Sequence, residues 1–319
     1  MISLVATVKN EKENIEEWID SLFSQSVQPD EIVIVDGGSE DGTWETLQKK
    51  ASQRIKVFRK EGNISAGRNF AISQASGENI VVTDGGCAYD RRWFEKLSEG
   101  LVKSHCGYAA TGFGPWLKEG DSFLTRLFAA ATIPSKYEFK KDWLPSSRSV
   151  AFNKQLWHNA GGYPEWIPIC EDVVFDLKIK KMGIEPVYIR EPLVFWRPRT
   201  NFIKYLKQLF GYTRSDGHGK LWPRRQLIRF FVYGAFVLII FLAIRYNFKF
   251  LVLVLFGGIV YVYKFWIRWF EFAGEKKFLY RLAGAIFIPF IIFLGDVAKM
   301  AGWPVGVYER VTYKVKFTE

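Results

Sequence analysis

Between Phe230 and Tyr263 the only charged residues are Arg245 and Lys249, too few for a helical surface in water, whereas the chain before Pro223 is punctuated throughout by charges, Gly and Pro. The chain therefore reads as a soluble region, residues 1–222, followed by a membrane region, residues 223–319. Three apolar runs follow Trp222: Phe230–Ile244, Phe250–Tyr263 and Leu282–Leu294. Each uncharged centre is shorter than the roughly 20 residues that cross a hydrocarbon core. Their flanks extend them, because Arg229, Arg245, Lys249, Lys264, Arg268 and Arg281 can snorkel to the headgroups, and Trp266, Trp269 and Trp303 suit the same interface. The short link from Arg245 to Lys249 makes the first two runs a helical hairpin. The basic link through Lys276 and Lys277 then falls on the side of the soluble region, as the positive-inside rule asks. A spanning third run sends Arg310, Lys314 and Lys316 to the far side, so two or three transmembrane or re-entrant helices are expected.

Charge fits this division. The chain of 319 residues is 49% hydrophobic and 17% aromatic, which excludes a disordered or fibrous protein, and 44 Lys+Arg against 33 Asp+Glu leave it at +11. Many of the excess bases flank the apolar runs, so the charge reads as a membrane-surface feature. The soluble region has no concentrated basic segment, and no nucleic acid partner is expected. Cys87, Cys106 and Cys170 have no CxxC spacing, which argues against a disulfide framework or a zinc site and for a reducing compartment. Met1–Val8 lacks a basic segment leading into a long apolar one, so no secretory signal is expected and the soluble region is placed in the cytoplasm.

Ile2–Val8 reads as a buried strand, followed by a helix whose Ile15, Trp18, Ile19, Leu22 and Phe23 share one face. Glu31–Val35 is a second strand; Asp36-Gly37-Gly38-Ser39-Glu40-Asp41-Gly42-Thr43 turns after it, with Asp41 placed to cap the next helix. A third strand at Ile55–Phe58, a helix capped near Ser65, and a fourth strand at Asn79–Thr83 continue the alternation. Such alternation implies an α/β layer with a mainly parallel sheet, whose ligands sit beyond the carboxyl ends of the strands. There the polar residues gather: Thr7, Lys9, Asn10 and Glu11 after the first strand, Asp36 after the second and Asp84 after the fourth. Loop polarity and helix caps explain any one of these residues, but explain their common location poorly. Neither GxGxxG nor GxxxxGK[ST] occurs, so a dinucleotide fingerprint and a Walker loop are absent from the sequence.

Val8-Lys9-Asn10-Glu11, Val35-Asp36-Gly37-Gly38-Ser39-Glu40-Asp41-Gly42-Thr43, Gly67-Arg68-Asn69 and Thr83-Asp84-Gly85-Gly86 occur in the order and spacing of family-2 glycosyltransferases, which the chain resembles. The resemblance continues through Ser147-Arg148-Ser149-Val150-Ala151-Phe152, Gly161-Gly162-Tyr163-Pro164-Glu165 and Glu171-Asp172, covering most of residues 1–220. It implies a GT-A fold and transfer of a sugar from a nucleotide-diphosphate donor of UDP or GDP type. It further implies that Thr7, Lys9, Asn10, Glu11, Asp36, Gly38, Arg68, Asp84, Gly85 and Glu171 form the nucleotide-sugar site, with Asp36 holding the base and Arg68 near the nucleotide. A carboxylate accepts base N–H donors, and the Arg fork suits phosphate or base. The plainer reading of Arg68 is a surface helix residue paired with a nearby Glu.

One motif departs from the family. Asp-x-Asp, which binds a divalent ion bridging the phosphates, stands here as Asp84-Gly85-Gly86, so Asp84 is the single metal candidate of the motif and Mg²⁺ or Mn²⁺ affinity is expected to be low. Cys87 reads as a small buried thiol rather than a ligand. Glu171 and Asp172 open an apolar-periodic helix, and Asp172 matches the family's catalytic base, a role compatible with N-capping. Single displacement would invert the anomeric carbon. Arg148, with Lys140 and Lys141, is a candidate for an acceptor phosphate. Arg214 and His218 either steady the leaving diphosphate or belong to a solvated linker.

The resulting expectation is a membrane-bound inverting glycosyltransferase with a lipid-linked, polyprenyl-phosphate or other membrane-proximal acceptor, its catalytic domain cytoplasmic. The alternative is a non-catalytic nucleotide-binding scaffold of a glycan assembly complex, which the broken Asp-x-Asp favours and the intact Asp172 opposes.

Overall fold

The computed structural model describes residues 1–139 and 143–312, apart from the side chain of Pro192. The predicted bases Lys140, Lys141, Lys314 and Lys316 lie outside the described residues. The chain divides into two compact units, Met1–Trp116 with Lys136–Arg197, and Leu117–Ser135 with Pro198–Glu319. The boundary expected at residue 222 therefore falls inside the second unit.

The first unit alternates as its sequence predicts: β1 (Ile2–Val8), α1 (Ile15–Phe23), β2 (Glu31–Asp36), α2 (Thr43–Lys50), β3 (Ile55–Arg59), α3 (Ile64–Gln74) and β4 (Asn79–Asp84). It continues with β5 (Cys87–Tyr89), α4 (Trp93–Lys103), β6 (Tyr108–Pro115), β7 (Val150–Asn153), α6 (Lys154–Asn159), α7 (Glu171–Lys181) and β8 (Val187–Trp196), while α5 (Phe123–Thr132) belongs to the second unit. The strands form an eight-stranded sheet in the order β3-β2-β1-β4-β7-β6-β8-β5. From β3 to β4 it is parallel, as expected. Beyond β4 it is mixed, since β7 runs antiparallel to both its neighbours and β5 antiparallel to β8. The expected mainly parallel sheet is thus an accurate account of one half.

Strand alternation sends side chains to two cores. Leu4, Ala6, Ile32, Ile34 and Val81 meet α1 and α4 through Trp18, Leu22, Trp93 and Leu97. Val5, Val33, Val35, Ile80 and Val82 meet Ile72, Leu156, Phe175 and Ile179 of α3, α6 and α7. Every residue of β2 is buried, the signature of a parallel strand covered on both faces. Each such apolar side chain contributes about 1.5–3 kcal/mol on full burial, so the carboxyl ends of β1, β2 and β4 are a rigid platform.

The second unit joins α5 to α8 (Phe202–His218), α9 (Pro223–Arg245), α10 (Leu251–Ala273) and α11 (Phe278–Thr312). The segment from Arg214, read as a possible linker, is the last turn of α8, where Ser215, Asp216 and Gly217 are buried. Among the described residues three helices are long and apolar enough to cross a membrane: Pro223–Arg245, Phe248–Ala273 and Phe278–Thr312, of 23, 26 and 35 residues. The third runs unbroken through Pro289 and Pro304 and far outlasts its predicted apolar run. Asp296, on its continuation, is nearly fully buried and is met by Arg229 Nε at 3.3 Å, Lys299 Nζ at 3.0 Å and the hydroxyls of Tyr233 and Tyr261. An ionisable residue within a membrane span would require such pairing.

Helices α8 and α11 approach closely because α11 offers glycines. A Cβ on Gly302 would overlap the carbonyl of Phe210, and one on Gly306 the carbonyl of Arg214. Gly306→Ala should therefore cost about 1–3 kcal/mol through overpacking. In detergent its thermal midpoint should fall by about 2 °C or more, whereas Gly258→Ala, whose Cβ meets nothing within 4 Å, should not move it. Equal midpoints for the two variants would contradict a tight seam.

Candidate active site

Register brings the polar strand ends together. β1 lies between β2 and β4 with Val8 opposite Asp36 and Thr7 opposite Asp84. The loops after β2 and β4 then fold onto the end of β1, Gly37 N–H donating to Val8 O at 2.9 Å and Gly85 N–H to Thr7 O at 3.0 Å. Between them and the start of α3 is a pocket of about 260 Å³ lined by Thr7, Lys9, Glu11, Gly37, Asn63, Gly67, Asp84 and Gly85 among others. Its volume is just below the roughly 300–1,000 Å³ of small-molecule clefts. Gly67 is required by this geometry, since a Cβ there would stand 3.0 Å from the Thr7 methyl.

The loop after β2 is built around Asp36. Its carboxylate accepts the backbone N–H of Gly38 at 3.2 Å and of Ser39 at 3.0 Å, as well as the Ser39 hydroxyl, and Arg59 Nε lies 3.4 Å away. Asp36 is 0% exposed. It shapes the pocket from beneath, and the direct hold on a base implied by the resemblance has no exposed oxygen to use in this conformation. Asp41 accepts the Thr43 N–H and hydroxyl at the start of α2, but the N-cap itself is Gly42, so Asp41 braces the first turn from one residue before the cap its sequence reading expects. Gly38, at φ 84, lets the loop turn but is not among the pocket's lining residues. Asn10 is a staple to this loop: its N–H donates to Ser39 Oγ at 2.8 Å and its Oδ1 accepts Glu40 N–H at 3.0 Å. Glu11 N–H is held by Thr43 Oγ1 at 2.9 Å, which fixes the Glu11 backbone beside the pocket.

Arg68 joins the pocket to the start of α7. It is 2% exposed, and its guanidinium donates through Nη2 to Asp84 Oδ1 at 2.6 Å and through Nη1 to Glu171 Oε1 at 2.5 Å, above the Tyr163 ring at 5.2 Å. Arg68 is therefore neither a surface residue nor one of the pocket's lining residues; it is a buried strut. Burial lowers its proton affinity, but the carboxylates of Asp84 and Glu171 outweigh that and hold it firmly charged. Burial raises Glu171 above the ordinary carboxylate range, against the pull of Arg68. Asp172 stands next on α7, partly exposed, with Oδ1 accepting its neighbour Val173's N–H at 2.9 Å. One turn on, Asp176 is buried, accepts the Tyr108 hydroxyl at 2.7 Å, and is raised by burial well above the usual carboxylate range.

Arg148 also reaches the Asp84 side of the site, with Nε 3.9 Å from Asp84 Oδ2 and its guanidinium stacked 3.9 Å over Trp196. The serines flanking it face inward, Ser147 to the Tyr163 hydroxyl at 2.9 Å and Ser149 to Trp93 Nε1 at 2.7 Å. That alternation explains the Ser-Arg-Ser pattern. Cys87 is buried, its thiol pushed up to about 12 by that burial, so it is a neutral filler, as its sequence reading expects. Gly86 has φ +74, and a Cβ on it would lie 3.2 and 3.3 Å from the two Glu11 carboxylate oxygens. Arg214 and His218 belong to the second unit, where both bind Glu309, at 2.6–2.7 Å for Arg214 and 2.7 Å for His218.

Sequence reasoning passed over Asn69 and Tyr163 as individual residues. Asn69 Oδ1 accepts Tyr163 N–H at 2.9 Å and Trp157 Nε1–H at 3.2 Å, while Nδ2 donates to Tyr163 O and Glu165 Oε1, both at 2.9 Å. The Gly-Arg-Asn and Gly-Gly-Tyr-Pro-Glu segments are thus two halves of one lock, which sets the loop leading to α7. A long-range pairing of two polar segments is the signal that would have found it.

Residues 3–147 match the model of glycosyl transferase family 2. Glycosyltransferase AglE of Haloferax volcanii is 22% identical over 254 residues, covering 76% of this chain and 81% of that protein. Uncharacterized glycosyltransferase EpsJ of Bacillus subtilis is 30% identical over 213 residues, 63% of this chain and 62% of its own length, so that match spans under two thirds of EpsJ. Among solved structures, mannosyltransferase PcManGT from Pyrobaculum calidifontis, in complex with GDP-Man and Mn²⁺, superposes with a TM-score of 0.54 at 16% identity, over 98% of this chain and 87% of its own.

Proposed function

We propose that the chain is a family-2 glycosyltransferase that moves a sugar from a UDP- or GDP-linked donor to a lipid-linked acceptor on the cytoplasmic face; the match of residues 3–147 to that family, the likeness in fold and the candidate membrane helices that follow support this reading. One observation carries this reading: Asp84, in the pocket wall, is tied through Arg68 to Glu171, the neighbour of Asp172. Donor-side and base-side carboxylates are thereby held by a single buried cation. The nucleotide takes the pocket, with Thr7, Lys9 and Glu11 on its wall, and Arg148 faces the diphosphate beside Asp84.

Asp172 takes the proton of the acceptor hydroxyl as the acceptor oxygen bonds to the anomeric carbon. The bond from that carbon to the diphosphate oxygen breaks, and the nucleoside diphosphate leaves as the anion with inversion at carbon. A phosphate monoester, whose second pKa is about 6, is already anionic at neutral pH and needs no base. An Asp172-dependent reaction therefore favours a hydroxyl acceptor, such as a lipid-linked sugar, over polyprenyl phosphate.

The donor set also suits a divalent cation. Asp84 offers a hard oxygen, and among the described residues no three His, Cys, Asp or Glu side chains form a ready cage, so an ion here would be completed by the donor's own oxygens. When bound, Mg²⁺ or Mn²⁺ neutralises the diphosphate and favours its departure. The cytoplasmic orientation rests on the exposed bases Arg224, Arg225, Lys276 and Lys277 at the start of α9 and in the link between α10 and α11.

Full-length protein in lipid vesicles, supplied with UDP- and GDP-sugars and lipid-linked acceptors, should yield a glycolipid of inverted anomeric configuration by mass spectrometry and NMR. A protein that binds nucleotide yet transfers and hydrolyses no donor, with Mg²⁺, Mn²⁺ or neither, would make it a scaffold.

A further inference from the structure

The geometry points to Glu11 as the second protein carboxylate of the divalent-cation site at Asp84, replacing the one missing from position 86. The inference rests on the pocket taking a nucleoside diphosphate. Two independent features disfavour a carboxylate at position 86. Its backbone lies at φ +74, a conformation that strains L side chains, and the space a Cβ would enter is bordered at 3.2 and 3.3 Å by the oxygens of Glu11. The Glu11 carboxylate thus lies against the place from which a side chain at position 86 would project.

Glu11, in the loop after β1, and Asp84, at the end of the adjacent strand β4, line the same pocket. Both are anchored: Glu11 through its N–H to Thr43 Oγ1 at 2.9 Å, Asp84 through Oδ1 to the buried Arg68 at 2.6 Å. Asp84 Oδ2 is ion-paired with Arg148 Nε at a long 3.9 Å, beyond hydrogen-bond length, a contact that an incoming cation would have to displace. Mg²⁺ and Mn²⁺ favour hard oxygen donors, and Mg²⁺ commonly takes only one or two carboxylates with phosphate oxygens and water filling the rest of its octahedron. Glu11 and Asp84 supply that number.

The test is a Mn²⁺ titration of full-length protein in detergent, read by the electron paramagnetic resonance of free Mn²⁺, with GDP and separately with UDP. Glu11→Gln should weaken Mn²⁺ binding in the presence of the bound nucleotide by at least about tenfold, since even indirect partners of a ligand are worth 10–100-fold. Any loss of nucleotide affinity in EDTA should be much smaller than the loss of Mn²⁺ affinity, and the thermal midpoint in EDTA should match that of the native chain. Unchanged Mn²⁺ affinity in Glu11→Gln overturns the assignment. So does an equal loss of nucleotide affinity in EDTA, which would place Glu11 on the nucleotide itself. In either case continued sugar transfer leaves the enzymatic reading standing, whereas a native chain that binds neither GDP nor UDP removes both.

Discussion

Asp172→Asn should bind donor with near-native affinity and transfer sugar to a hydroxyl acceptor at least about 100-fold more slowly, the usual worth of a general base. The amide keeps the size of the carboxylate and can still accept the Val173 N–H that Asp172 Oδ1 accepts at 2.9 Å, so the start of α7 should be undisturbed. The same substitution one turn on is the natural control. Asp176 is buried beside Tyr108 rather than open to an acceptor, and Asp176→Asn keeps an oxygen that can accept the Tyr108 hydroxyl. It should keep most of the activity. Normal turnover by Asp172→Asn on a hydroxyl acceptor would remove it as the base. Normal turnover on polyprenyl phosphate alone would instead identify an acceptor that arrives already ionised.

Arg68→Leu should destabilise the first unit by about 3–5 kcal/mol, the cost of stranding buried charge by deleting one partner. Two carboxylates lose their common counter-ion, and Glu171 is 6% exposed. Arg68→Lys should recover little, because one ammonium cannot fork to acceptors on two separate elements. The deficit should depend on pH with a definite sign. Glu171 already has a raised folded-state pKa, and loss of Arg68 raises it further. The folded variant then binds more protons than the unfolded chain, so its stability falls as pH rises from the ordinary carboxylate range toward the raised value. Unfolding of native and Arg68→Leu protein at pH 5 and pH 8 should show the smaller gap at pH 5. A gap independent of pH would mean that packing, rather than stranded charge, sets the cost.

Local pattern made half of this architecture readable. The apolar strands from β1 to β4 alternate with helices whose faces are plain in the sequence, and right-handed crossovers leave little choice but a parallel arrangement with the polar ends together. The antiparallel half was hidden because β6, Tyr-Ala-Ala-Thr-Gly-Phe-Gly-Pro, is rich in small residues, and β7 has only four. Their strand character comes from partners far along the chain. At the site, residue identity was legible but direction was not. Asp36 and Arg68 stood out in the sequence as candidate site residues, yet each faces a protein partner, because a carboxylate ringed by backbone N–H groups and a guanidinium between two acids are tertiary facts. The second unit was legible as apolar, while the capture of α5 and α8 by it was not, since both helices are amphipathic by sequence and could cover any core.

The interleaving of the two units also sets a timetable. Arg126 of α5 donates to the carbonyl of Phe272, 146 residues later. At roughly 5–20 residues per second of synthesis, α5 leaves the ribosome about 7–30 s before that partner exists. Leu127, Phe128, Ala129 and Ala130, all fully buried in the finished fold, must spend that interval against something else. Slowing synthesis between α5 and α10 would lengthen that exposure and should make the nascent chain more open to capture or aggregation at this short helix.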